Sequence, residues 1–116
     1  MVSTAPLTSN TKNIFNDLTF EKMKSSAIFI NISRGGLVNE KSLANALQNQ
    51  EILGAGLDVF EDEPISGNHP LLTYKNCVTL PHIGSSTVET RTKMIELACH
   101  NVRRVLQGNP AITPIN

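Results

Sequence analysis

The chain has 116 residues, 40% of them hydrophobic, and equal numbers of acidic and basic side chains, so its formal net charge is zero. This fits one small globular unit with a single modest core, burying about two-thirds of the surface of its unfolded form. It excludes a nucleic-acid or anionic-membrane partner, since Lys and Arg form no basic stripe, and no run has the pattern of a transmembrane helix or a signal peptide. The expected compartment is the cytoplasm. Cys77 and Cys99 lack CxxC or metal-ligand spacing and lie in apolar patterns, which predicts buried free thiols.

The elements alternate. MVSTA (residues 1–5) reads as a strand, and the turn-rich PLTSNTKN leads to a short helix over about 17–24, with Asn16 or Asp17 near its cap. AIFINIS (27–33) is a short continuous apolar run, as in strands covered on both faces. After RGG, a helix over about 40–50 sets Leu43, Ala46 and Leu47 on one stripe behind an Asn39 cap. ILGAGLDVF (52–60) and CVTLP (77–81) read as two further strands, with 61–76 between them as a loop without a helix. The last helix opens with Ser86 and Glu89 in capping-box spacing and carries Val88, Ile95, Ala98, Val102 and Val105 on one face; Gly108, Asn109 and Pro110 end it.

Strand–helix alternation predicts an α/β fold: right-handed crossovers, a parallel sheet and helices on both faces. Such sheets bind ligands beyond the carboxyl ends of their strands. The residues that follow these strands are Arg34 after FINIS, the acidic run Glu61, Asp62, Glu63 after LDVF, and His82 after VTLP. A guanidinium fork suits a carboxylate, and a carboxylate beside an imidazole stabilises the imidazolium and keeps it available as a general acid. Together Arg, Glu and His would hold a small acid and deliver a proton to a carbonyl oxygen, or take one from an alcohol. Taken singly, each has a plainer explanation: a loop histidine, a solvated acidic loop, an arginine paired with a neighbouring acid. His69 and His100 receive the ordinary loop reading. GAGLDV is not a dinucleotide fingerprint, because its third glycine is missing and its glycines begin a strand rather than follow one. RGG fits either a backbone approach to a ligand or close strand-to-helix packing.

FINISRGGLVNEKSLANAL, GAGLDVFEDEP and TLPHIGSST resemble, in order and spacing, the signature blocks of the D-isomer-specific 2-hydroxyacid dehydrogenases. Within that family, NHPLLTYKNCVTLPHIGS is most similar to the animal enzymes that reduce glyoxylate and hydroxypyruvate, the D-glycerate dehydrogenase type. The resemblance implies a Rossmann-like domain, a small 2-oxo or 2-hydroxy acid substrate, and NADP or NAD as obligatory hydride carrier, since no side chain supplies a hydride. By position it implies Arg34 on the substrate carboxylate and carbonyl, His82 as proton donor in reduction, and Glu63 as the residue that orients and charges His82. It implies Asp58 at the nicotinamide carboxamide, with Pro6, Thr11, Ser33, Arg34, His82, Gly84 and Ser85 along the remaining cofactor surface, and a homodimer for the full-length enzyme.

The resemblance also implies an organisation. Residues 1–107 correspond to the second half of the NAD(P)-binding domain with its long last helix, and 108–116 form a tail. The phosphate-binding G-x-G-x-x-G of the family is not in this chain, so weak or no cofactor binding is expected of the 116 residues alone, and MVSTA is expected to be an apolar edge. The alternatives are another D-2-hydroxyacid dehydrogenase, of phosphoglycerate, formate or lactate type, and a non-catalytic module, either a truncated isoform or one like the dehydrogenase-fold corepressors, which can retain the same Arg, Glu and His.

Overall fold

The computed structural model describes residues 1–115; the last residue of the 108–116 tail lies outside the described residues. The chain divides into two compact units, Met1–Ile83 and Gly84–Asn116.

In the first unit, β1 (Val2–Ser3), α1 (Asp17–Glu21), β2 (Ile28–Asn31), α2 (Glu40–Gln48), β3 (Gly54–Leu57) and β4 (Cys77–Thr79) follow in the predicted order. Short 3₁₀ turns occupy Gly35–Leu37 and Pro70–Thr73, the second inside the segment expected to be a loop without a helix. The four strands form one sheet in the order β1-β2-β3-β4, every pair parallel. The fold is therefore the expected α/β arrangement, a parallel sheet with flanking helices. The strands are shorter than predicted because their apolar runs continue into the loops that leave the sheet.

Burial in β2 corrects one expectation. Phe29 and Asn31 are fully buried, Ile28 is exposed and Ile30 is intermediate, so the apolar run AIFINIS alternates where coverage of both faces was expected. The covered face holds the core: Phe20, Phe29, Leu37, Leu43, Ala46, Leu47 and Leu71 pack together. Phe29 is the hub, with Phe15 at 4.8 Å and tilted by 56°, and Phe20 edge-on at 5.4 Å. Asn39 caps α2 as expected, its side-chain oxygen accepting from the Ser42 N–H at 3.1 Å. Asn16 occupies the N-cap position of α1 but makes no side-chain cap bond.

The second unit is built on α3 (Val88–Leu106). Its cap is Thr87 rather than Ser86: the Thr87 hydroxyl accepts from the Thr90 N–H at 3.1 Å, while the Ser86 hydroxyl accepts from the Arg91 guanidinium at 2.7 Å. Asn101 ties the chain beyond the helix back to it, accepting from the Ile112 N–H and donating to the Thr113 hydroxyl. No residue of α3 is buried, so Cys99 is an exposed thiol and His100 an exposed helix residue, where a buried thiol and a loop histidine were expected.

Cys77 is the half-buried thiol, in register with Ala55 beside the core, and burial pushes its pKa up to about 11. A thiol held protonated is a poor nucleophile. A Cys99→Ser variant is therefore expected to resist alkylation by iodoacetamide at mildly alkaline pH until denaturant is added, as read by intact mass. Rapid labelling of the folded variant would show that Cys77 is not shielded.

Candidate active site

Four loops leave the sheet at one edge, because parallel pairing aligns the strand ends. Ser3, Asn31, Leu57 and Thr79 stand in one row across the sheet. Just beyond that row come Pro6, Ser33 and Arg34, Asp58 and Glu63, and His82. The expected gathering of ionisable groups at the carboxyl edge thus holds for the loops of the first unit.

Two buried polar side chains shape these loops. Asn31, with no exposed surface, donates its amide to the Arg34 carbonyl at 2.9 Å and accepts from the Ser33 N–H at 3.1 Å, which turns the chain so that Arg34 is presented to solvent. Asp58, 5% exposed, accepts from the Ile83 N–H at 2.8 Å. Ile83 follows His82, whose φ is +55°, in the left-handed region that a non-glycine residue occupies at a cost of about 1 kcal/mol or more. Asp58 therefore holds the turn that presents the histidine.

His82 Nδ1 lies 2.7 Å from Glu63 Oε2. A carboxylate only accepts, so the bond fixes the proton on Nδ1 and leaves Nε2 as the nitrogen that exchanges a proton with a ligand. Glu63 uses its other oxygen to accept from the Phe60 N–H at 2.9 Å, closing the turn that carries it. Its pKa is lowered, first by the hydrogen bond from His82 and then by that from Phe60, against opposing contributions from desolvation and from the charge of Asp58. The predicted Glu63–His82 pair is formed. Beside it a cleft of about 530 Å³ is lined by Phe60, Glu63, Pro64, Ile65, Thr79, Leu80, Pro81 and His82. Its size and largely apolar lining, with a few polar groups at one side, fit a flat heteroaromatic ring such as nicotinamide or a small acid.

The Arg34 guanidinium bonds the Ser33 carbonyl at 2.7 Å, and the residue is exposed. The Ser33 hydroxyl donates to the Ala5 carbonyl, and the Thr11 hydroxyl to the Pro6 carbonyl at 2.7 Å, so both stitch the loop after β1 in place. Gly84 and Ser85 open the second unit and are exposed.

RGG owes its first glycine to packing. A Cβ on Gly35 would stand 1.8 Å from the Phe60 carbonyl carbon and 2.2 Å from the Glu61 nitrogen, so only glycine lets the Arg34 loop close on the Glu63 loop. Sequence reasoning left the role of Gly35 open between ligand and packing, and it missed Asn31 and His69. The last is not an idle loop residue: it caps the Pro70–Thr73 turn and pairs with Glu40 at 3.1 Å. The one signal available was Asn31, a polar residue inside an apolar strand.

Residues 1–84 match the family described as D-isomer specific 2-hydroxyacid dehydrogenase, NAD binding domain. The chain belongs to that family. A curated relative, glyoxylate/hydroxypyruvate reductase B of Enterobacter sp. (strain 638), is 55% identical over 104 residues, covering 90% of this chain and 32% of the relative. The corresponding enzyme of Salmonella paratyphi B is 54% identical over 103 residues, 89% of this chain and 32% of its own length. Among solved structures, the NADPH-dependent glyoxylate/hydroxypyruvate reductase of Sinorhizobium meliloti in complex with NADP and malonate superposes with a TM-score of 0.92 at 37% identity, over 98% of this chain and 35% of that one. The chain thus spans about a third of the length of the curated relatives it matches. Among the described residues, no helix is long and apolar enough to cross a membrane.

The depressed Glu63 pKa fixes the pH dependence of the pair. A carboxylate whose pKa is lower folded than unfolded contributes stability that is fully present above its unfolded value and is lost as pH falls through the folded one. Because both side chains are partly solvated, at 50% and 35% exposure, the effect is local rather than global. On acidification the Phe60 amide NMR resonance is expected to shift with a midpoint below the ordinary glutamate range, and Glu63→Gln to abolish that titration. A midpoint in the ordinary range would mean that the carboxylate stands apart from His82.

Proposed function

We propose that this chain supplies the proton-transfer and substrate-carboxylate residues of an NAD(P)-dependent reductase of glyoxylate and hydroxypyruvate, forming glycolate and D-glycerate. The observation that carries the reading is the 2.7 Å His82–Glu63 pair, held in a strained turn at the carboxyl edge of a parallel sheet. The names and the NADP complex of the relatives support the substrate class and the cofactor. Residues 1–107 would serve as the second half of the NAD(P)-binding domain, with 108–116 as a tail.

A 2-oxo acid becomes a 2-hydroxy acid by gaining a hydride at carbon and a proton at oxygen. NADP or NAD, when bound, supplies the hydride. Asp58, Pro6, Thr11 and Ser33 would line its surface, with the cleft beside His82 taking the nicotinamide end. Arg34 gives up its bond to the Ser33 carbonyl and clamps the substrate carboxylate and carbonyl, a planar fork meeting a planar acid. His82 then donates its Nε2 proton to the carbonyl oxygen. Glu63 stays ionised, holds Nδ1–H, and stabilises the imidazolium before transfer and the correct tautomer afterwards. In the oxidative direction the same Nε2 takes the alcohol proton. We further propose a cytoplasmic homodimer for the whole enzyme, which the balanced charge and the family resemblance support.

The test transplants the segment. The matching 104-residue stretch of this chain replaces its counterpart in the Enterobacter relative, and oxidation of NADPH and NADH is followed with glyoxylate and hydroxypyruvate. The chimera is expected to turn over, the 116-residue chain alone is not, and His82→Ala in the chimera should lower kcat by about 10²–10⁴-fold. Arg34→Ala should raise KM as well as lower kcat. Unchanged kcat in the His82 variant would remove this reading.

A further inference from the structure

The turn bearing Glu63 leaves the sheet after β3 and is mostly exposed, so something must keep its carboxylate against His82. Glu40, the first residue of α2, makes the bridge. Its Oε1 accepts from the Glu61 N–H at 2.9 Å, and its Oε2 lies 3.1 Å from His69 Nε2. One carboxylate thus binds both ends of the 61–69 segment, two residues before Glu63 and six after it.

Each end is itself anchored. At the start, the Phe60–Glu61 peptide fills the space where a side chain on Gly35 would stand. At the far end, His69 Nδ1 accepts from the Leu71 N–H at 3.3 Å, and Leu71 is fully buried in the core. Because Nδ1 accepts, the proton sits on Nε2 and points the donor at Glu40. The His69 ring also meets Phe60 edge-on, with centroids 5.5 Å apart. Both side chains of the Glu40–His69 pair are only 20% exposed, against 60% and 43% for the Lys12–Glu61 pair that also touches this segment at 3.5 Å. The shielded pair is the one that solvent screens least.

We infer that Glu40 and His69 are positioning residues for the reaction centre: by clamping both ends of the 61–69 segment to α2 and the core, they set the Glu63 carboxylate on His82 Nδ1. This rests on the reading of Glu63 and His82 as the proton-transfer pair, but its consequence is structural and is measurable without turnover. Neither residue touches substrate in this scheme. Both act through Glu63.

The test uses the 116-residue chain and long-range ¹H–¹⁵N NMR of the neutral His82 ring. Held by Glu63, neutral His82 is expected to be mainly the Nδ1–H tautomer. In Glu40→Ala and in His69→Leu it should shift to mainly Nε2–H, the form preferred by an unrestrained imidazole, and the Glu63 titration should move up into the ordinary glutamate range. The Phe20 and Phe29 ring resonances report whether the core is intact. Glu40→Gln, which keeps an acceptor for Glu61, should restore part of the Nδ1–H form and covers the case in which the alanine variant fails to fold. Lys12→Ala should change nothing. A wild-type tautomer and titration in Glu40→Ala or His69→Leu with an intact core, or a shift in Lys12→Ala as large as in those variants, would overturn the inference. Loss of activity in His82→Ala is read separately in the chimera, so either proposal can fail without the other.

Discussion

In-register parallel pairing is the constraint on which the rest of the molecule depends. It aligns Ser3, Asn31, Leu57 and Thr79 in one row, so that chain segments far apart in sequence leave the sheet side by side. A one-residue slip in any strand would exchange its buried and exposed faces. In β2 that slip would put Ile28 and Ile30 into the core in place of Phe29 and would lift Asn31 out of it. The Phe15–Phe29–Phe20 ring cluster therefore does more than bury area: it fixes the register that puts Arg34 and the Glu63 turn at one edge.

Burying a polar side chain costs free energy unless its hydrogen bonds are made. Asn31 and Asp58 meet this cost where each strand ends, and each uses its bonds on the backbone next to a residue of the candidate site: the Arg34 carbonyl and Ser33 N–H for one, the Ile83 N–H for the other. A short apolar residue at either position would pack, but it would leave those backbone groups without that partner and the turns free to relax. For His82 this matters most, since its left-handed backbone would otherwise revert to an ordinary region.

Much of this was legible in the sequence, and the reasons are local. Asn39 before Leu43, Ala46 and Leu47 announces α2, and the alternation of strands with helices announces a parallel sheet, so the placement of Arg34, Glu63 and His82 at one edge followed from topology. Other features depend on contacts that no spacing records. Ser86 and Thr87 both look like caps, and only the Arg91 guanidinium taking the Ser86 hydroxyl leaves Thr87 to the helix. Whether Gly35 serves a ligand or a packing contact is decided by the Phe60–Glu61 peptide, which arrives from a different loop. Glu40 is indistinguishable in sequence from any acid in the first turn of a helix, where the dipole alone would explain it.

The two histidine–glutamate pairs have the same composition but are proposed for opposite tasks, and environment separates them. In Glu40–His69 both ring nitrogens are engaged, Nδ1 by the Leu71 N–H and Nε2 by the carboxylate, and both side chains are 20% exposed. Protonating that ring would expel the Leu71 N–H from its acceptor, so the pair has no nitrogen to lend to chemistry. In Glu63–His82 the carboxylate engages only Nδ1, no further bond to the ring is made among the described residues, and the side chains are 50% and 35% exposed. A proton can enter and leave at Nε2 without breaking the bond that orients the ring. A general acid needs that asymmetry: one nitrogen held, the other available. A positioning pair needs the reverse, and the two are coupled because the segment clamped by the first carries the carboxylate of the second.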